Sequence, residues 1–312
     1  MALGGRIYAM NINSILRWKE ERNMYYSSTE HSKEEILYHY CSVDTFFNVI
    51  KNAKLWLSDI EKSNDYRECV ACREMVNEKI KEYLNNDKQA LKEWKIGYEK
   101  GTQINYNSRI LGVCFSESED QLSQWRGYAQ NGKGLAIGFD KKILETLNSI
   151  HEHDIKFGKV IYNNTEEYVR NIVKDNIAKF EYKGVEHVAL ELSTNYRLKF
   201  PFVKNSGFEE EKEWRAIVWT LVGHYNTPGS EKIAFSKLKY RTSNDKLIPY
   251  IEMDFEKIKQ KIIRKIFIGP RSEIEIEDVF YFLKFCGYYD NSDGGYSFDN
   301  SISIRKSAIS YR

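Results

Sequence analysis

Gly207-Phe208-Glu209-Glu210-Glu211-Lys212-Glu213-Trp214-Arg215-Ala216-Ile217-Val218-Trp219 changes character halfway along. Its first half carries Glu209, Glu210, Glu211 and Glu213, and its second half is the apolar run Ala216 to Trp219. Such a stretch reads as a loop feeding a strand. Strand alternation sets Glu211 and Glu213 on one face, and Arg215 falls on that face too. Two carboxylates side by side at the mouth of an aromatic-rich strand are costly without a cation or a task. Arg215 can pair with one of them. The plainer alternative is a solvated acidic loop with a single ion pair.

Outward from this strand, the chain alternates strand and helix signals. Ile36-Leu37-Tyr38-His39-Tyr40 reads as a strand, and Ser42 offers an N-cap for a helix over 43–52. Lys54-Leu55-Trp56-Leu57-Ser58 alternates as a second strand with Leu55 and Leu57 on one face. A long helical run extends from Asn64-Asp65 to about residue 95, where Asp65 and Glu68 make a capping-box-like pair. Strands follow at Arg109–Ser116, Gly134–Phe139 and Lys156–Tyr162, and residues 165–200 read as helix, broken at Gly184. Past the quoted stretch, strands are expected at 232–235, 248–253, 262–268 and 301–305, with a helix between the last two that carries Ile274, Val279, Phe282 and Leu283. Residues 12–25 read as an amphipathic lead helix within an N-terminal segment of residues 1–30. No repeat and no linker divides the rest, which predicts one α+β domain over 31–312 with helical insertions at about 64–100 and 165–200.

Several polar residues sit where chemistry is done. His39 lies on a strand between two tyrosines, suited to orienting a ligand or to a structural hydrogen bond. Ser116 ends an apolar strand, where a hydroxyl braces a site or caps a turn; the glycine spacing of a nucleophile elbow is missing. Gln124-Trp125-Arg126-Gly127-Tyr128 puts two rings three residues apart on one helical face, able to stack on a planar ligand or to pack in the core. Asn131-Gly132-Lys133-Gly134 lacks the spacing of a phosphate loop and reads as a hairpin turn. Cys69 and Cys72 form a lone Cys-x-x-Cys without a second pair at zinc spacing, and His151, His153, His187 and His224 lack metal-ligand spacing and read as surface residues.

Composition bounds the function. Lys and Arg number 47 against 45 Asp and Glu, a net charge of +2, which excludes a polycation built to coat nucleic acid. Five scattered cysteines make no secreted disulfide framework. The N-terminus carries no stretch of signal-peptide type, and no apolar run is long enough to span a membrane, so a cytoplasmic, membrane-free protein is expected. Among 312 residues, 22 Tyr, 16 Phe and 6 Trp exceed what a core alone needs and point to ring-lined clefts.

Taken together, several segments resemble the bacterial domain-of-unknown-function family 2971 from Leu37 to the C-terminus. They are Leu37-Tyr38-His39-Tyr40, Leu55-Trp56-Leu57-Ser58, Asn64-Asp65-Tyr66-Arg67-Glu68, Cys114-Phe115-Ser116-Glu117, Gln124-Trp125-Arg126-Gly127-Tyr128, Gly132-Lys133-Gly134-Leu135, Gly207 to Arg215 and Ile266-Phe267-Ile268-Gly269-Pro270. Tyr66 departs from the family, which often has proline there. More distantly, the order of His39, then Ser116 on a strand, then Glu211-x-Glu213 entering a strand resembles ADP-ribosyltransferases, at the level of fold.

That second resemblance implies a central split, mostly antiparallel sheet and an enzyme that consumes NAD as substrate without a metal. It implies Glu213 as the carboxylate that steadies the ribose cation, Glu211 as its helper toward the acceptor, and His39 on the NAD ribose. Ser116 would brace the strand, and Tyr40, Trp125 or Tyr128 would stack on nicotinamide. The acceptor would be a protein or a nucleic acid, and the biological role a bacterial toxin or antiphage defence effector. Two other readings stand beside it: a non-catalytic module binding a nucleotide or partner through the aromatic cleft, and a nuclease or hydrolase holding a divalent metal on the acidic cluster.

Overall fold

The sheet is built around one long strand with three partners. In the computed structural model, which describes residues 35–62, 66–106, 108–149, 155–162, 165–221, 233–243, 245–289 and 302–311, that strand is β3, Ser108–Ser116. Before it come β1 (Ile36–Cys41), α1 (Val43–Asn52), β2 (Lys54–Asp59), α2 (Tyr66–Leu84) and α3 (Lys88–Tyr106). After it come α4 (Leu122–Tyr128), β4 (Leu135–Asp140), α5 (Lys141–Glu145), β5 (Ile155–Lys159), α6 (Thr165–Ile177), α7 (Phe180–Lys183), α8 (Val185–Lys199) and β6 (Glu213–Leu221). The chain ends with β7 (Ala234–Phe235), β8 (Lys239–Ser243), β9 (Lys246–Asp254), α9 (Lys259–Ile262), β10 (Ile263–Ile268), α10 (Ile276–Phe285) and β11 (Ser303–Lys306).

Local chemistry accounts for the first βαβ segment. β1 is rich in Ile, Tyr and Leu, which suit a pleated surface. The Ser42 side chain accepts from Thr45 N and starts α1. Ala53, at φ 49°, ends the helix in a left-handed cap whose N–H reaches Val49 O, and the chain turns straight into β2. Leu55 and Leu57 of β2 are buried on one face beside Phe46, Val49 and Ile50 of α1.

β3 pairs with β6 along one edge through nine residue pairs, from Ser108↔Leu221 to Ser116↔Glu213. Its other edge is shared. β1 meets it at Tyr38↔Ser116, while β2 meets it at Ser58↔Gly112 and Asp59↔Leu111. β1 and β2 therefore diverge from a common neighbour, and the sheet forks there. One arm runs through β4, β10 and β11, and the other through β2, β9, β7 and β8. β10–β11 is a parallel pair, and the other strand pairs are antiparallel. The main core lies across both arms and includes Leu37, Phe115, Ile137, Phe139, Ala216, Met253 and Ile266.

The two helical insertions pack on each other rather than standing apart. α2, α3, α6 and α8 share a second core of Val76, Ile80, Trp94, Val169, Val188 and Leu192. Gly97 and Gly101 let α3 and α8 touch: a Cβ at Gly97 would strike the Glu186 carbonyl, and one at Gly101 the Ser193 hydroxyl. Ile36–Arg312 forms one compact unit.

Three expectations are corrected in detail. The run expected as one helix to about residue 95 is two helices, because Asp87 accepts from Gln89 N and Ala90 N and starts α3 afresh. The turn at Asn131–Gly134 is not a hairpin; it joins α4 to β4 through Gln130, Asn131 and Gly132 at φ 49°, 56° and 85°. β8, polar along Lys-Tyr-Arg-Thr-Ser, is an edge strand beside β9 that apolar periodicity does not reveal. The lead helix of residues 1–30, the Asp65 capping pair, the Cys69 side chain and His151, His153 and His224 lie outside the described residues.

Candidate functional site

Tyr38, Ser116 and Glu213 lie in one row across β1, β3 and β6, as successive pairing partners. The fork opens beside this row. Below Tyr38, β1 leans away from β3, and His39 Nδ1 sits 2.9 Å from the carbonyl oxygen of Cys114. A carbonyl only accepts, so Nδ1 carries the proton and Nε2 is the free acceptor of a neutral ring. Burial holds this imidazole below its ordinary value of 6.5, the Cys114 carbonyl working the other way.

The pocket at the fork has a volume of about 60 Å³ and is lined by Tyr38, His39, Tyr40, Cys114, Phe115, Gln124, Tyr128, Glu211 and Glu213. Ser116 lies just beneath. Its hydroxyl donates to Glu211 O at 2.7 Å and accepts from Ser118 N at 3.0 Å, so it ties the end of β3 to the acidic turn. Cys114 lines the pocket and keeps accessible surface, while desolvation and Glu213 push its thiol pKa well up.

The acidic stretch is split: Glu209 and Glu210 are exposed to solvent, whereas Glu211 and Glu213 are buried. Ser206–Glu211 forms a 3-10 turn, and Lys212 at φ 44° swings the chain into β6. Both carboxylates then converge on one cation, the ammonium of Lys204, at 2.6 Å from Glu211 Oε2 and 3.2 Å from Glu213 Oε2. Arg215 holds Glu213 with two bonds, Nε to Oε1 at 2.7 Å and Nη2 to Oε2 at 2.9 Å, and donates its Nη1 to Pro201 O. The Lys204 side chain is 0% exposed, and its ammonium also lies 4.9 Å from the centre of the Phe208 ring.

The two glutamates differ. Burial acts to raise the Glu213 pKa, but Arg215, Lys204 and the Cys114 thiol outweigh it and keep the carboxyl below 4.5. At Glu211 burial wins, aided by the charge of Glu213, and the pKa rises although Lys204 and Tyr128 oppose it. Glu211 Oε1 accepts from the Tyr128 hydroxyl at 3.2 Å, on the pocket side. Glu213 is thus the more firmly ionised of the two carboxyls, and Glu211 the more readily protonated.

The rings expected to stack divide by burial. Trp125 is fully buried: Tyr40 meets it edge-on at 4.7 Å, and its Nε1 donates to Asp120 Oδ1 at 2.7 Å. It packs α4 onto the sheet and offers no free face to a ligand. Tyr128, 46% exposed, forms the rim. Tyr40 is buried with its hydroxyl on Ser118 O, and Tyr38 donates to Glu119 Oε2.

Sequence reasoning missed Lys204, Cys114 and Tyr162, whose hydroxyl accepts from Glu213 N at 2.8 Å. Lys204 had no signal, since Val203-Lys204-Asn205 reads as ordinary surface. Its burial follows from Val203, which is part of the helical core, and from Lys204 N bonding to Ile161 O. Away from the site, Cys72 is buried in the helical core, and His187 is exposed beside Glu191. Among the described residues, no helix is long and apolar enough to cross a membrane, and no group of three or more His, Cys, Asp or Glu side chains gathers as a metal site.

A family model described as protein of unknown function (DUF2971) matches residues 124–216. The matched segment begins in α4 and ends in β6, so it contains Tyr128, Lys204, Glu211, Glu213 and Arg215. It supports that family over this part of the chain and carries no activity. Searches of curated proteins and of solved structures return no match.

Proposed function

We propose that the chain is an enzyme of ADP-ribosyltransferase type that consumes NAD at the fork. The observation that carries this reading is the pocket where β1 leaves β3, whose lining includes His39, Glu211 and Glu213 together. Cleaving the nicotinamide–ribose bond sends the bonding pair to the nicotinamide nitrogen and leaves cationic character on the ribose. Carboxylates held in a partly dry pocket stabilise that charge. Glu211, whose pKa is raised and whose Oε1 faces Tyr128, suits the proton transfer that an acceptor hydroxyl or amide needs. His39 Nε2 is an acceptor suited to a ribose hydroxyl. A toxin or antiphage effector is the role such an activity would serve in a bacterium.

The test is release of nicotinamide from NAD by the purified chain, alone and with protein, DNA or RNA acceptors. Turnover that Glu211→Gln abolishes supports the reading. Absence of turnover with every acceptor, together with unchanged growth of cells expressing the chain, overturns it.

A second reading, a nucleotide-binding module, has its own observation. Each carboxylate oxygen of Glu211 and Glu213 already carries a donor from Lys204, Arg215 or Tyr128. Lys204 and Arg215 occupy three of these four oxygens, which a divalent metal would need, and this disfavours a metal nuclease. NAD binding measured by calorimetry without nicotinamide release would favour the module.

A further inference from the structure

The cation shared by the two glutamates comes from the segment that leads out of the helical insertion, Lys204 lying before both of them in the chain. Val203 belongs to the core of the helical insertion, and Lys204, the next residue, ends at the fork. Phe200, a few residues earlier, lies in the same helical core, and Pro201 O receives Arg215 Nη1. One short segment therefore links the packing of α2, α3, α6 and α8 to both cations of the carboxylate cluster.

We propose that Lys204 is a positioning residue: its ammonium clamps Glu211 Oε2 so that Oε1 is presented at the rim of the fork pocket beside Tyr128. This deepens the reading above and rests on it for the identity of the ligand, though not for the clamp itself.

The groups facing Glu211 make the assignment specific. Tyr128 of α4 bonds Oε1, Lys204 bonds Oε2, and Ser116 of β3 bonds the backbone oxygen. Glu213 adds a like charge, which Arg215 offsets through two hydrogen bonds of its own. Cys114, Tyr162 and His39 lie close by, and none is a cation at neutral pH. With Arg215 committed to Glu213, Lys204 is the cation placed to orient Glu211. Removing it leaves Glu211 facing Glu213 with the Tyr128 hydroxyl alone on its own carboxylate.

The test is carbon-13 NMR titration of the glutamate carboxyls in the full chain, with nitrogen-15 detection of the lysine ammonium groups. In Lys204→Met the Glu211 midpoint should rise by about one pH unit or more, the size an opposite charge at hydrogen-bond distance supplies. Lys204→Arg should restore most of the change. An unmoved midpoint in folded Lys204→Met overturns the proposal. If that variant does not fold, the unmutated chain decides: the Lys204 ammonium signal must shift as Glu211 titrates and lose that step in Glu211→Gln, and a signal indifferent to Glu211 overturns the clamp.

NAD added to each form separates the two claims. Weaker binding in Lys204→Met with recovery in Lys204→Arg supports the clamp acting on a ligand. A moved midpoint with no NAD binding by any form keeps the clamp and overturns the NAD reading.

Discussion

Glu211 and Glu213 share the ammonium of Lys204, at 2.6 and 3.2 Å, yet only Glu213 also holds Arg215. Two residues of like charge, separated by one position, are thereby given opposite tendencies. One is pinned as an anion, and the other is held nearer to neutrality. The asymmetry comes from the left-handed Lys212, which lets Glu211 end a 3-10 turn while Glu213 opens a strand.

Glu213→Gln should destabilise the chain by about 3–5 kcal/mol, because it takes from the buried Arg215 the carboxylate that holds it with two bonds, and from the buried Lys204 one of its two carboxylates. Chemical denaturation at neutral pH measures the loss. A cost below about 1 kcal/mol, the range of an exposed ion pair, would mean the cluster is solvated.

The same asymmetry sets the pH dependence. Glu213 has its pKa below the ordinary 4.5, so its stabilising contribution is present above that value and lost as pH falls through the folded pKa. Glu211 has its pKa above 4.5, so its contribution is full below that value and lost as pH rises through the folded pKa. Thermal melts from pH 3 to pH 7 should therefore rise more steeply in Glu211→Gln than in the unmutated chain, and less steeply in Glu213→Gln. Parallel curves in all three would refute the assignment.

Much of this scaffold is legible locally and little of the cluster is. The Ser42 cap and the Leu55/Leu57 alternation depend on neighbours within a few residues, so the sequence displays them. The same-face grouping of Glu213 and Arg215 is legible for that reason. The fork is different, since it arises from β1 and β2 competing for one edge of β3, through pairings such as Tyr38↔Ser116 and Ser58↔Gly112 that join positions far apart in the chain. Lys204 is hidden more deeply: it is buried only because segments around Ile161, Val203 and Glu211 meet. The spacing of Trp125 places a ring on a face without saying what covers that face, and in the fold the ring is fully buried.

Gly134→Ala should cost about 1–3 kcal/mol by overpacking. A Cβ there would strike the Cys41 carbonyl at the end of β1. The glycine also gives its N–H to Ala129 O and its carbonyl to Gly269 N, so it knots α4, β4 and the end of β10 together. A melting temperature below that of the unmutated chain checks this, and an unchanged one would show that the strand ends yield freely.

The strongest contrast concerns two rings three residues apart. Trp125→Ala removes a fully buried side chain and leaves Asp120 without its indole donor, so it should cost about 3–5 kcal/mol whatever the ligand. Tyr128→Phe removes one partly buried hydroxyl bond to Glu211 and should cost about 0.5–1.5 kcal/mol. Its larger effect should fall on the site. Glu211 loses the donor that holds Oε1 at the rim, so its pKa should rise further, and NAD affinity measured by calorimetry should fall in a protein that melts almost normally. If Trp125→Ala instead lost NAD affinity with its stability intact, Trp125 would be the stacking ring, and α4 would have to turn for it to reach the ligand.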